Sequence, residues 1–152
     1  MMKIRLRRRG LRGIRSERGA ALVEFALVVP LLMLMMCATI DFGLAVYTLN
    51  NLTAAVREGG RYGATLDATA WSTDATTRVS NRVYDYIVGM NNGLNAVQTK
   101  ALISVAKDNA TGIITVRITG YPYKPVTPLS VVFGLRTISL NRTAIFRWER
   151  AS

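Results

Sequence analysis

The 21 residues from Ala20 to Ile40, AALVEFALVVPLLMLMMCATI, carry one charge, Glu24, and no other feature narrows the possible folds as far. About 20 apolar residues are needed to cross a bilayer as a helix. A core helix of a soluble protein keeps a polar face, yet from Phe25 to Ile40 nothing is more polar than Thr39. The run therefore reads as a single membrane-spanning helix. A cleavable secretory signal would be shorter and closed by a small-x-small site, and no Ala-x-Ala sequence follows before Asp41. Pro30 stands in mid-span without an amide hydrogen, which predicts a kink or loosening near Ala26. Useful flexibility and a merely accommodated kink are both open.

Charge supplies the orientation. Residues 1–19 hold Lys3, Arg5, Arg7, Arg8, Arg9, Arg12, Arg15 and Arg18 against Glu17, a net of +7 out of +11 for the whole chain. The positive-inside rule keeps this leader in the cytoplasm and sends the rest outward, N-in and C-out. The small remaining charge argues against nucleic-acid binding, which needs its basic surface on the folded part. With 152 residues and one segment in the membrane, the soluble part is a single small domain. The chain has no His and a single Cys, Cys37, inside the apolar run. An intramolecular disulfide, the common zinc sites and His-dependent triads are thereby excluded, and no cofactor or metal is expected. Cys37 reads as apolar filler, since a lipid-modified cysteine needs small residues where Met35 and Met36 stand.

Glu24 demands a reason, because a carboxylate four or five positions inside an apolar span is costly unless paired. Cutting the chain between Gly19 and Ala20 would create an α-amino group one helical turn away, at i to i+4. In an assembly the carboxylate could instead meet the new amino group of a neighbouring subunit. The plainer alternative is a Glu that snorkels to the interface.

Taken together these residues resemble a known family. Gly19, Ala20, Glu24 and Phe25 fall where type IV prepilins carry the last leader residue, the first mature residue, a Glu at the fifth mature position and a following aromatic. The stretch RGAALVEFALVVPLLMLMM, followed by IDFGLAVY and LTAAVREGGRYG, looks like the TadE-like pseudopilins, or minor pilins, of the tight-adherence (Tad, or Flp) pilus system. The resemblance is close over residues 18–64, through Pro30, Asp41, Phe42, Gly43 and Arg57-Glu58-Gly59, and covers the rest only in layout. It implies cleavage between Gly19 and Ala20 by a prepilin peptidase on the cytoplasmic face, often with methylation of the new N-terminus. It also implies a bacterial inner-membrane location with the head outside, and a role in pilus assembly and surface adhesion beside other pilin-like subunits. Glycine suits the cut because it unwinds readily and offers the bond in extended form. One departure, Gly59-Gly60-Arg61 where such proteins often read Gly-Ala-Arg, predicts a looser helix end.

Beyond the span, Phe42, Ala45, Val46, Leu49, Leu52 and Val56 recur at helical spacing, so the helix is expected to run on to about Tyr62. Such a rod is about 65 Å long, of which about 30 Å crosses hydrocarbon. Its outer half needs cover from a head folded back on it. GGRYG at Gly59–Gly63 lacks the preceding strand and following Lys-Ser/Thr of a phosphate loop, leaving close helix packing or a helix end. A loop over Asp67–Thr73 precedes a second helix, Asp74 to Met90, with Val79, Val83, Tyr86, Ile87 and Met90 on one face and Asn91-Asn92-Gly93 stopping it. KALISVAKD and GIITVRITG form an antiparallel hairpin around Asn109–Thr111. Pro122, Pro125 and Pro128 make an irregular connection to a third strand, in which Ile138, Leu140, Ala144, Phe146 and Trp148 alternate with Arg142 as the misfit. The fold class is α+β and pilin-like, a long N-terminal membrane and spine helix packed on a small antiparallel sheet with a second helix. The expected divisions are residues 1–19 as leader, 20–65 as transmembrane and spine helix, and 66–152 as extracytoplasmic head.

A non-enzymatic pilus subunit is the leading function. The alternative is a membrane-anchored periplasmic binding protein whose basic head holds DNA through Arg136, Arg142, Arg147 and Arg150, although Trp148 is the only strong stacking residue nearby. An anchored enzyme is disfavoured because Asp67, Asp74, Asp85 and Asp108 show no pairing that marks a site. Asn-x-Thr sequons at Asn51, Asn109 and Asn141 read as coincidence beside a bacterial-type cleavage site.

Overall fold

The computed structural model describes residues 12–90, 94–128, 134 and 137–148, with the backbone alone for 12–18. Helix α1 spans Arg12–Ala64 without a break, 53 residues or about 80 Å at 1.5 Å per residue. It begins before Ala20, so Gly19 is helical and not extended, and it continues unbroken through Pro30. Its two halves live in different surroundings. None of the strongly apolar membrane-span window is buried, whereas Leu52, Ala55 and Val56 are enclosed in the core of the head.

The head adds α2 (Ala68–Thr73), α3 (Ala75–Ile87), α4 (Ala96–Ala101), β1 (Ile103–Asp108), β2 (Ile113–Tyr123) and β3 (Ile138–Arg147). The strands form one antiparallel sheet in the order β1-β2-β3. The outer half of α1 lies over β2 and β3 while α3 lies over β1. Ala75, Val79, Val83 and Ile87 are all buried. Their spacing of four residues gives α3 one apolar stripe, which it lays against α1 and the sheet. On β2 the alternation Ile114, Val116, Ile118 faces the helices. Beyond Ile118 the strand gains one residue relative to β3, since Ile118 pairs with Arg142 but Tyr121 with Leu140. The bulge centres on Gly120, at φ +72, a conformation that L side chains avoid. One extra residue reverses the side-chain parity, so Tyr121 and Tyr123 point into the same core as Ile114. Tryptophans close the distal end: Trp71 and Trp148 stack in parallel with centroids 4.8 Å apart, and Trp148 Nε1 donates to the Leu66 carbonyl at 2.7 Å.

Several local expectations are corrected. The expected loop before α3 contains α2, capped by Asp67, whose carboxylate accepts from Ala70 N at 2.7 Å. Tyr86 is half-exposed on α3 and Ala75 takes its place on the buried face. The expected stop at Asn91-Asn92-Gly93 lies outside the described residues. The start of the KALISVAKD strand is the end of α4, where Asn95 and Gln98 form a reciprocal capping box; two backbone amides gain partners this way, which favours helix locally. Pro122 sits within β2, paired with Ser139. Because β1 begins at Ile103, opposite Ile118, β2 beyond that point has a partner on one side only, and a proline is tolerated on such an edge. Arg142 is accommodated on the inner face of β3, its Nε donating to Thr53 Oγ1 on α1 at 3.0 Å.

Candidate functional site

The residues singled out along the span share one helix and one exposure. Gly19 and Ala20 are in helical register within α1, and a Cβ at Gly19 would meet nothing within 4 Å. Glu24 and Pro30 are exposed, and Phe25 is 66% exposed. Glu24 stands one turn beyond Ala20 on the same face, among apolar side chains with no protein cover. The structure thus groups Gly19, Ala20, Glu24 and Phe25 on the first turns of an uncovered apolar helix.

Where the span ends, Asp41 does more than mark a boundary. Its Oδ1 accepts from the amides of Val126 at 2.9 Å and Thr127 at 3.2 Å, and its Oδ2 from the Thr127 hydroxyl. Tyr123 donates its hydroxyl to the Asp41 carbonyl at 2.8 Å. Desolvation alone would raise the Asp41 pKa, but the hydroxyl and two amide donors outweigh it and hold the carboxyl below its ordinary value. The segment after β2 is thereby tied to α1 directly above the span. Phe42, expected on the covered stripe, is 73% exposed instead.

The Arg57-Glu58-Gly59 step joins α1 to α3. Glu58 accepts from Arg82 of α3 at 2.9 Å and from Arg61 at 3.2 Å, and these two hydrogen bonds, Arg82 first, hold its pKa low. The glycines around it are contact points. A Cβ on Gly59 would lie 2.3 Å from Val83 Cγ2, one on Gly60 2.1 Å from Phe146 Cδ2, and one on Gly63 2.7 Å from Ile114 Cδ1. The expected loosening at Gly59-Gly60-Arg61 is therefore corrected: α1 stays helical to Ala64 because missing side chains admit Val83 and Phe146.

Other candidate groups have structural partners. Asp74 pairs with Arg78 at 3.0 Å, Asp67 caps α2, and Asp108 accepts from Thr111 and the Ala110 amide. Among the described residues no three His, Cys, Asp or Glu side chains gather as a metal site would require. Of the arginines suggested for DNA, Arg142 turns in toward Thr53, and Arg136 and Arg150 lie outside the described residues. Asp41 and Glu58 were missed as site residues, although the first charge after a span and the Arg-Glu-Gly step were available signals.

An uncovered apolar helix, long and apolar enough to cross a membrane, whose outer half dips into the core of a small α+β head fits the layout of a single-pass membrane protein. The family model described as TadE-like protein matches residues 19–61, from the expected leader end to the Gly59-Gly60-Arg61 step. Over that helix the chain is similar to TadE-like proteins. No curated protein matches the chain, and no solved structure does.

Proposed function

We propose that the protein is a non-enzymatic minor pilin-like subunit, a pseudopilin, that takes part in building a Tad/Flp-type pilus for surface adhesion. The observation that carries this reading is the TadE-like match beginning at Gly19, on a helix whose apolar span has no cover of its own. A prepilin peptidase cuts between Gly19 and Ala20 on the cytoplasmic side, which requires α1 to unwind at a glycine. The chain sits in the inner membrane N-in and C-out, as the basic leader directs, and its head lies beyond that membrane.

Glu24 acts in assembly. An unpaired carboxylate hinders entry into a bilayer, so a positive contribution has to outweigh its cost. After cleavage the carboxylate neutralises the new α-amino group of a packed neighbour, a charge-assisted contact in a low-dielectric setting. Glu24→Gln keeps size and hydrogen bonding but loses charge. In a strain without the native copy, this variant should insert and be processed normally, yet fail to yield pili or to co-purify with pilin-like subunits. Normal pili and normal partner recovery would remove the charge from assembly, and loss of cleavage alone would move Glu24 to peptidase recognition.

A further inference from the structure

Between α1 and the membrane-proximal end of β2 lies a groove of about 540 Å³, with Leu44, Tyr47, Met90, Pro122, Lys124 and Val126 in its walls. Its height above the bilayer is set by hydrogen bonds. Val126 N lies 2.9 Å from Asp41 Oδ1, and Asp41 directly follows Ile40, the last residue of the span. Val126 is therefore held at the hydrocarbon boundary with 74% of its surface exposed. Tyr47 is six residues past Asp41, about 9 Å higher along the helix, and the headgroup layer is about 5–8 Å deep on each side. Helical side chains lean toward the N-terminus, so the Tyr47 ring, 65% exposed, is directed back down into that layer. Lys124 is exposed on the same loop.

We propose that this underside of the head is a lipid-docking surface, on which the groove and the 124–126 loop seat phospholipids of the leaflet from which α1 emerges. Val126 rests at the glycerol and upper acyl level, Lys124 meets lipid phosphate, and Tyr47 bridges the two, as amphipathic aromatic rings do at membrane interfaces. The groove has the capacity of a small-molecule pocket, and its place beside the end of the span, with a cationic Lys124 at its rim, suits a phospholipid. Asp41 is the fastener: by tying the loop to the helix at the end of the span, it fixes the depth at which the head meets the bilayer. The proposal rests on the membrane-anchored reading of α1.

The test uses the full chain with Cys37→Ala, carrying one fluorescent label at Val126→Cys, at Ala110→Cys on the distal β1–β2 turn, or at Leu32→Cys in mid-span. Vesicles of phosphatidylcholine and phosphatidylglycerol carry spin-labelled quenchers either near the top of the acyl chain or near its end. The shallow quencher should quench the label at 126 several-fold more than that at 110, and the deep quencher should quench the label at 32. Lys124→Glu should reduce quenching at 126 while leaving the near-ultraviolet dichroism of the stacked tryptophans unchanged. Equal quenching at 126 and 110, with 32 quenched, would overturn the docking surface and leave the membrane helix standing. No quenching at 32 would overturn the membrane reading and the docking with it. A label at 126 that is shielded from water yet unquenched would show a second copy or another segment of the chain in the groove. Unchanged quenching in Lys124→Glu would refute the phosphate contact.

Discussion

Gly59→Ala sets two effects of similar size against each other. In a helix interior alanine is favoured over glycine by about 0.5–1 kcal/mol. At Gly59, however, the new Cβ would lie 2.3 Å from Val83 Cγ2 and 3.6 Å from Val79 Cγ1. Val83 is fully buried on α3, and a β-branched side chain in a helix has one strongly preferred rotamer, so α3 itself has to shift. Overpacking of this kind costs about 1–3 kcal/mol. The expected net loss is about 0.5–2 kcal/mol, enough to lower the melting temperature of so small a head by several degrees. Gly43→Ala is the control, because a Cβ there meets nothing within 4 Å and only the propensity gain remains. The assay is denaturant unfolding of the full chain in detergent, followed by near-ultraviolet dichroism of the Trp71–Trp148 pair, which contains both tryptophans of the chain. A Gly59→Ala variant as stable as wild type, or more stable, would refute the claim that this glycine exists for close packing.

Other consequences follow from the same geometry. A chain starting at about Asn50 keeps Leu52, Ala55 and Val56, all essentially fully buried, and should fold marginally as a soluble head. Deletion through Ala64 removes them and should abolish cooperative unfolding, since each buried Leu or Val side chain contributes about 1.5–3 kcal/mol; equal thermal stability of the two would show that the head does not rest on α1. Asp41, Glu58, Asp74 and Asp108 all titrate below their ordinary values. A carboxylate depressed in the folded state stabilises above its unfolded pKa and loses that contribution as pH falls through the folded one. Head stability should therefore be flat near neutrality and decline only on acidification below about pH 4. Asp41→Asn, with one acceptor oxygen instead of two, should speed hydrogen exchange at the Val126 and Thr127 amides, and unchanged exchange would refute the tie between that loop and α1.

Features with a strong period or an extreme composition were legible in the sequence. The uncovered span, the antiparallel hairpin, the inward alternation of Ile114, Val116 and Ile118, and the α+β layout all follow from patterns of one or two residue types. What was not legible depended on partners distant in sequence. For Gly59, Gly60 and Gly63 the sequence leaves close packing and a helix end both open, and only Val83, Phe146 and Ile114 brought against them decide for packing. Arg142 looks like a misfit until Thr53 appears opposite it, and the parity reversal that buries Tyr121 requires the register of β3. The box at Asn95 and Gln98 is a local signal that stands just ahead of a strand whose alternation is more conspicuous. Among the candidate site residues, Glu24 stands out because a charge in an apolar run is expensive anywhere. Asp41 did not, because a carboxylate at the end of a span needs no partner until a loop is found bonded to it.

The central claim, that a pilin-type precursor is cut before Ala20 to free the helix for assembly, is tested most directly by mass spectrometry of the N-terminus of the protein isolated from its native membrane. The account predicts a mature chain beginning at Ala20, and accumulation of a precursor heavier by residues 1–19 when Gly19 is replaced by a bulky residue. A native chain beginning at Met1, or one cut after Ile40, would contradict it.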